Sequence, residues 1–330
     1  MAHPNWKVVI TDCDHGDIEE EKRIFGQMGA ELSWLQLKTE EDLIRECRDA
    51  DGLLIQYAPL TRKVLEQLPR CKVLSRYGVG VDSIDLKAAT DLGIIVANVP
   101  DYCVDEVAIQ AVTLFMALIR KTVFFDQKVR AGHWDFTEGG PIHRIRGKTM
   151  GLVGCGKIGM EVAKMASTLG MQVLAFDPYI QKAEGIRLVD LDTLLEESDF
   201  ISIHCPLNES TRHLIGGKAF HQMKKRPLIV NTSRGPIIDG TALIEALKGG
   251  LISGAGLDVL EKEPLDPQSP MLKMENVIFS PHMGFYSEES IRELNRRTAE
   301  NVADVLLGKW PRSVVNREVT GKTRAGLVSS

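Results

Sequence analysis

None of the six cysteines, Cys13, Cys47, Cys71, Cys103, Cys155 and Cys205, belongs to a Cys-x-x-Cys pair, so neither a zinc site nor a disulfide framework is expected. They read as reduced thiols. No apolar run reaches the length that spans a bilayer, and Met1-Ala2-His3-Pro4-Asn5-Trp6 lacks the basic-then-apolar pattern of a secretory leader. A membrane partner is not expected, and the cytoplasm is the natural compartment. There is no excess of positive charge either: a formal net charge of −5 argues against nucleic acid as a partner. Repeats of solenoid period and low-complexity tracts are absent. What remains is 330 residues, 44% hydrophobic and 26% charged, the composition of a foldable chain too long for one core to be the default. Two domains are expected.

Residues 6–99 alternate short apolar runs with amphipathic segments, as a βα array does. Strands are predicted at 8–11, 32–37, 52–55, 73–75 and 94–97. Helices are predicted at 18–28, in a segment capped by Thr61, and at 84–92. A long amphipathic helix follows over 104–130, with Val107, Ala111, Leu114, Phe115, Leu118 and Ile119 on its apolar stripe. The loop 132–146 is longer than most connections, which marks it as functional or interfacial. A second α/β unit spans 147–281. A helix over 287–309 comes next, and the tail 317–330 has too little apolar content to pack, so it is expected to be mobile.

Within the second unit, Met150 to Val153 read as a buried strand running into Gly154-Cys155-Gly156-Lys157-Ile158-Gly159, which opens a helix. A Gly-x-Gly-x-x-Gly turn between strand and helix sets a pyrophosphate against backbone N–H groups at a helix N-terminus. The next strand ends in Asp177, eighteen residues after Gly159, where a carboxylate accepts hydrogen bonds from a ribose hydroxyl. Asp177 would repel a 2′-phosphate, and no Arg or Lys follows at Pro178, Tyr179 or Ile180. NAD is therefore preferred over NADP. The first unit has no such turn and need not bind a nucleotide.

Open α/β sheets bind ligands outside the carboxyl ends of their strands, and there the second unit carries His204, Asn231-Thr232-Ser233-Arg234-Gly235, Asp258 and His282. Hydride transfer to a carbonyl needs a proton donor at the oxygen, a cation for the substrate's acid group, and a group that keeps the donor protonated. His282, Arg234 and Glu263 are the candidates. His133, His143, His213 and His221 stand outside any motif and read as structural.

These segments, in this order, resemble the D-isomer-specific 2-hydroxyacid dehydrogenase family over nearly the whole chain. The likeness runs through Arg76-Tyr77-Gly78-Val79-Gly80-Val81-Asp82, the glycine turn, Asp177, His204-Cys205-Pro206-Leu207 and the segments of Arg234, Glu263 and His282. It implies NAD-linked interconversion of small 2-oxo and D-2-hydroxy acids by a homodimer. It also implies two Rossmann-like domains separated by a cleft: residues 1–101 completed by 288–330 for the substrate, and 102–287 for NAD.

Carried over by position, the resemblance makes Arg234 the guanidinium that grips the substrate carboxylate. His282 becomes the acid/base, and Glu263 the partner that holds it as imidazolium. Gly154, Gly156, Lys157, Ile158, Gly159, Asp177, His204, Pro206, Thr211, Thr232, Ser233, Asp258 and Gly284 fall to the cofactor. Arg76, Tyr77, Val79, Gly80 and Phe285 join Arg234 around the substrate. Val104-Asp105-Glu106 and the residues after His282 look closest to the C-terminal-binding-protein branch, which includes corepressors that keep the fold; Phe285 stands where those carry Trp. A dimeric NAD(H)-sensing interaction protein is accordingly the alternative function. A phosphoglycerate-dehydrogenase-like enzyme without an added regulatory domain is a further form of the first reading.

Overall fold

The structure, a computed structural model, describes residues 5–328. The N-terminal residues 1–4 and the last two serines lie outside the described residues. The chain divides into two compact units, one of Met1–Tyr102 and Ser287–Ser330, the other of Cys103–Tyr286.

The first unit runs β1 (Lys7–Ile10), α1 (Glu19–Gln27), β2 (Glu31–Trp34), α2 (Glu40–Cys47), β3 (Gly52–Ile55), α3 (Arg62–Glu66), β4 (Val73–Arg76), α4 (Leu86–Asp91) and β5 (Ile95–Ala97). Its five strands are parallel in the order β2-β1-β3-β4-β5. Buried on both faces, β3 reads Gly-Leu-Leu-Ile without alternation, the mark of a parallel strand covered by helices. Each fully buried Leu or Ile there stabilises the fold by about 1.5–3 kcal/mol.

The second unit begins with α5 (Val104–Arg120) and α6 (Thr122–Arg130). It continues through β6 (Thr149–Val153), α7 (Lys157–Thr168), β7 (Gln172–Phe176), β8 (Arg187–Leu188), α8 (Leu191–Glu197) and β9 (Phe200–Ile203). It closes with α9 (Gly217–Gln222), β10 (Leu228–Asn231), α10 (Gly240–Lys248), β11 (Gly254–Leu257) and β12 (Val277–Phe279). Seven parallel strands lie in the order β12-β11-β10-β9-β6-β7-β8. Successive strands leave β6 in one direction through β7 and β8 and resume on its other side at β9. The switch point lies beyond the ends of β6 and β9. After this unit, α11 (Glu288–Leu306) returns to the first one, where it packs on α1, β3 and β4; Ser287 and Ser290 form a capping box at its start.

Two expectations are corrected. The helix expected over 104–130 breaks at Lys121, which adopts φ 53°, and the axis bends by 59°. The stripe that packs α5 into the core ends at Ile119, whereas α6 buries no residue. With nothing beyond Ile119 to bury, the left-handed Lys121 closes α5 through its backbone N–H to Leu118 O (3.1 Å), and its ammonium bonds the carbonyl of Gly139. The tail is also docked rather than loose. Val319 is buried, Arg324 Nη1 donates to Leu68 O (2.7 Å), and Trp310 Nε1 donates to Val328 O (2.9 Å). Hydrogen bonds to main-chain carbonyls, those of the buried Leu68 and Cys71 among them, help hold it, where its apolar area alone would not.

Candidate active site

At the end of β6 the backbone turns through Gly154 at φ 97°. A Cβ there would stand 2.6 Å from the backbone nitrogen of Cys205, the segment leaving β9, so only glycine lets the two loops meet. A Cβ on Gly159 would meet Gly154 O at 2.5 Å, which keeps α7 close to the turn. Gly156 is the N-cap of α7 and offers no side-chain acceptor to the first turn, which opens on Lys157 and Ile158, and a Cβ placed on it would meet nothing within 4 Å. Backbone donors and the positive end of a twelve-residue helix thus face open space, a site for an anion.

Asp177 stands beside this turn, Oδ2 accepting from Cys155 N and Oδ1 from Tyr179 N, both at 2.9 Å. His204 N donates to Val153 O (2.8 Å) and its Nε2 pairs with Ser202 Oγ (2.8 Å); burial holds this imidazole down to about 4. Thr232 Oγ1, at the end of β10, is buried without a hydrogen-bond partner. An open glycine cradle, a bare helix start, a carboxylate eighteen residues on and an orphaned hydroxyl are what a dinucleotide site requires, and the residues fit one. Other expected cofactor residues are engaged inside the protein. Thr211 Oγ1 donates to Pro206 O (2.7 Å) and Ser233 Oγ to Cys205 O (2.6 Å), so these side chains knit the loops beyond β9 and β10 together.

Beyond β11 and β12 the second half of the site is assembled. His282 Nδ1 lies 2.8 Å from Glu263 Oε2, while Glu263 Oε1 accepts from Leu260 N at 2.9 Å. Burial pushes the Glu263 carboxyl up, but the bonds from His282 and Leu260 and the charges of His282 and Arg234 outweigh it, leaving the group below the ordinary carboxylate range. Arg234 is thereby close enough for its charge to act on Glu263. Its Nη1 also donates to Ser233 O at 2.8 Å, and Asn231 Nδ2 donates to Arg234 O at 3.0 Å. His282 has φ 53°, an uncommon conformation for a residue with a side chain, and the ring of Phe285 meets it edge-on at 6.4 Å.

What holds His282 in that conformation is Asp258. Its backbone O accepts from His282 N (2.8 Å). Its buried carboxylate accepts from Ser280 Oγ (2.5 Å), Met283 N (3.0 Å) and Gly284 N (2.8 Å). Gln110 Nε2 extends this network to Ser280 Oγ at 2.9 Å. Sequence reasoning missed Gln110; the available signal was a polar residue one turn before the buried Leu114 of the apolar stripe. The Leu260 amide was missed too, since a backbone donor carries no residue-type signal.

In the first unit, Arg76 ends β4, and Tyr77, Val79 and Gly80 follow it. The guanidinium of Arg76 folds over Gly78. Tyr77 departs from the expected substrate contact: its ring is only 2% exposed and its hydroxyl donates to Glu21 Oε1 at 2.7 Å, so the side chain belongs to the core.

Residues 112–284, just over half of the chain, match the family model described as D-isomer specific 2-hydroxyacid dehydrogenase, NAD binding domain. A glyoxylate reductase of Korarchaeum cryptofilum is 40% identical over 285 residues, covering 84% of this chain and 86% of the relative. The chain belongs to this family. Its second unit carries the family's NAD-binding domain, and NAD is the cofactor for which that domain is built. A D-3-phosphoglycerate dehydrogenase of Methanocaldococcus jannaschii is also 40% identical, over 94% of this chain and 59% of the longer relative. Among solved structures, a D-lactate dehydrogenase from Aquifex aeolicus complexed with NAD and lactic acid superposes with a TM-score of 0.86 at 26% identity, covering 94% and 99% of the two chains. Membership makes the protein an NAD-dependent oxidoreductase acting on CH–OH groups.

Proposed function

We propose that this dehydrogenase reduces a small 2-oxo acid to the D-2-hydroxy acid, with His282 as acid/base, Glu263 as its partner and Arg234 as the carboxylate clamp. The 2.8 Å contact between His282 Nδ1 and Glu263 Oε2 carries the reading. Bound NADH supplies the hydride. Glu263 takes the Nδ1–H, so the exchangeable proton resides on Nε2, the ring nitrogen left to face a substrate oxygen. A carboxylate at that distance fixes the orientation and tautomer of the ring. Arg234 offers a planar fork that suits a carboxylate with an adjacent carbonyl. Asp177 selects the unphosphorylated ribose, and Thr232 Oγ1 is left for the cofactor.

Arg76, Val79 and Gly80 are the first unit's proposed substrate contacts, with Phe285 from the second. A homodimer belongs to the same reading. In its favour, Ile109, Val123, Val129, Trp134 and Phe136 are exposed along α5, α6 and the loop after them, a concentration of apolar surface that a second copy would cover. A cytoplasmic location completes it, in keeping with six free thiols.

The test is NADH oxidation with glyoxylate, hydroxypyruvate, pyruvate and 2-oxoglutarate. Turnover of at least one is expected. Tight NADH binding with turnover of none would favour an NAD(H)-sensing interaction protein instead.

A further inference from the structure

We propose that Glu261 and His213 form a positioning pair that holds the Glu263 carboxylate against His282, an inference that rests on the acid/base reading of His282. His213 Nε2 lies 2.6 Å from Glu261 Oε1, and the other Glu261 oxygen accepts from Gly240 N at 2.9 Å. One carboxylate therefore clasps two segments: the loop before α9, and the turn into α10 that follows Arg234. His213 adopts φ 54° to reach it and anchors its own backbone through N–H to Pro236 O at 2.8 Å. The charged groups facing its ring are Glu261 and Asp239, the latter at 4.0 Å.

Glu261 immediately follows Leu260, whose amide is the donor to Glu263 Oε1. On its other side the Leu260 carbonyl lies flat against Gly235, where any Cβ would overlap it. Leu260, whose amide orients Glu263, is thus fixed on its carbonyl side between Gly235 and the Glu261 clasp. Val259 and Met271 are buried and Leu260 and Leu265 pack on the core, but between them the 259–271 segment borders a cleft of about 340 Å³ lined by Ile238, Leu243, Ile244, Leu265 and Met271. Beside such a cleft, polar contacts add to the packing that fixes the segment's position. The route is His213 to Glu261, to the Leu260 amide, to Glu263, to the His282 ring.

The experiment follows the His282 ring by NMR titration, its signal assigned by loss in His282→Ala, alongside NADH-linked turnover of the best substrate from the panel. Glu263→Gln is expected to lower the His282 midpoint. Glu261→Ala is expected to lower it too, by roughly half a pH unit, and to reduce kcat about 3- to 10-fold with the NADH Kd unchanged. Glu261→Gln, which still accepts from Gly240 N and still bonds His213, restores both. His213→Gly, which suits the backbone and removes the ring, behaves as Glu261→Ala and serves where that variant folds poorly. A wild-type midpoint in Glu261→Ala and His213→Gly, while Glu263→Gln moves it, overturns the clasp. A midpoint unmoved in Glu263→Gln takes Glu263 out of the acid/base reading, and with it the ground on which the clasp rests.

Discussion

The two sheets share a doubly wound plan and differ in what fills the switch point. In the first unit, that crevice lies between β1 and β3, and the Asp12 carboxylate occupies it. The carboxylate accepts from the amides of Gln56 (3.1 Å), Tyr57 (2.5 Å) and Ala58 (3.1 Å) and from the hydroxyl of Thr11 (2.7 Å). The amides that could cradle an anion are already bonded to the protein's own anion. In the second unit the amides of Gly154 and Cys155 are bonded too, to Phe176 O and Asp177 Oδ2 (both 2.9 Å), but the start of α7 beside them stays open: a Cβ on Gly156 would meet nothing within 4 Å and no side chain caps the helix. The scaffold is common to both; ligand binding depends on whether a helix start at the crevice is left open to an anion.

The largest effect expected from breaking this contrast is catalytic and falls in the second unit alone. His282→Ala should lower kcat by about 10² to 10⁴, read by steady-state NADH oxidation; a kcat near wild type removes His282 from the chemistry. Next is the stability of the first unit. Asp12→Ala strands three amides and should cost about 2–4 kcal/mol in urea unfolding while the surviving folded protein binds NADH as before. Weakened NADH binding there would mean that the first crevice takes part. Asp177→Ala is the counterpart, with NADH affinity falling about 10-fold and NADPH affinity falling less; equal losses would contradict its ribose role.

Two pH effects are smaller. Glu263→Gln should move the pH limit for reduction downward, because a less stabilised imidazolium loses its proton earlier; a limb that stays put takes Glu263 out of the mechanism. His204 is held down to about 4 from an ordinary 6.5, so the folded protein refuses a proton that the unfolded chain accepts. Stability therefore declines as pH falls through that window, and His204→Gln should flatten the decline in acid unfolding. An unchanged slope would show that burial of His204 carries no linkage.

Much of the second unit was legible because its signals are local. The glycine turn, its flanking strand and helix, and Asp177 lie within one βαβ stretch whose residue types each have a steric or electrostatic reason. Arg234, Glu263 and His282 stood out as the chemistry a carbonyl reduction needs, at strand ends where such groups collect. What could not be read is set by contacts between distant segments. Tyr77 is buried because Glu21, far away in sequence, receives its hydroxyl. Asp258 is a scaffold for the His282 turn because Ser280, Met283 and Gly284 return to it. The tail docks through Arg324 to carbonyls of the 68–71 segment, bonds invisible to an apolar count. His213, without a motif, gained a partner only when the loops bearing Glu261 and Gly240 were seen together.

The contrast between a sealed and an open crevice is tested most directly by calorimetric titration of NADH into the purified protein. One site per chain is predicted, with Asp12→Ala retaining it and Asp177→Ala weakening it. A second site per chain, or a single site weakened by Asp12→Ala and untouched by Asp177→Ala, would contradict the account.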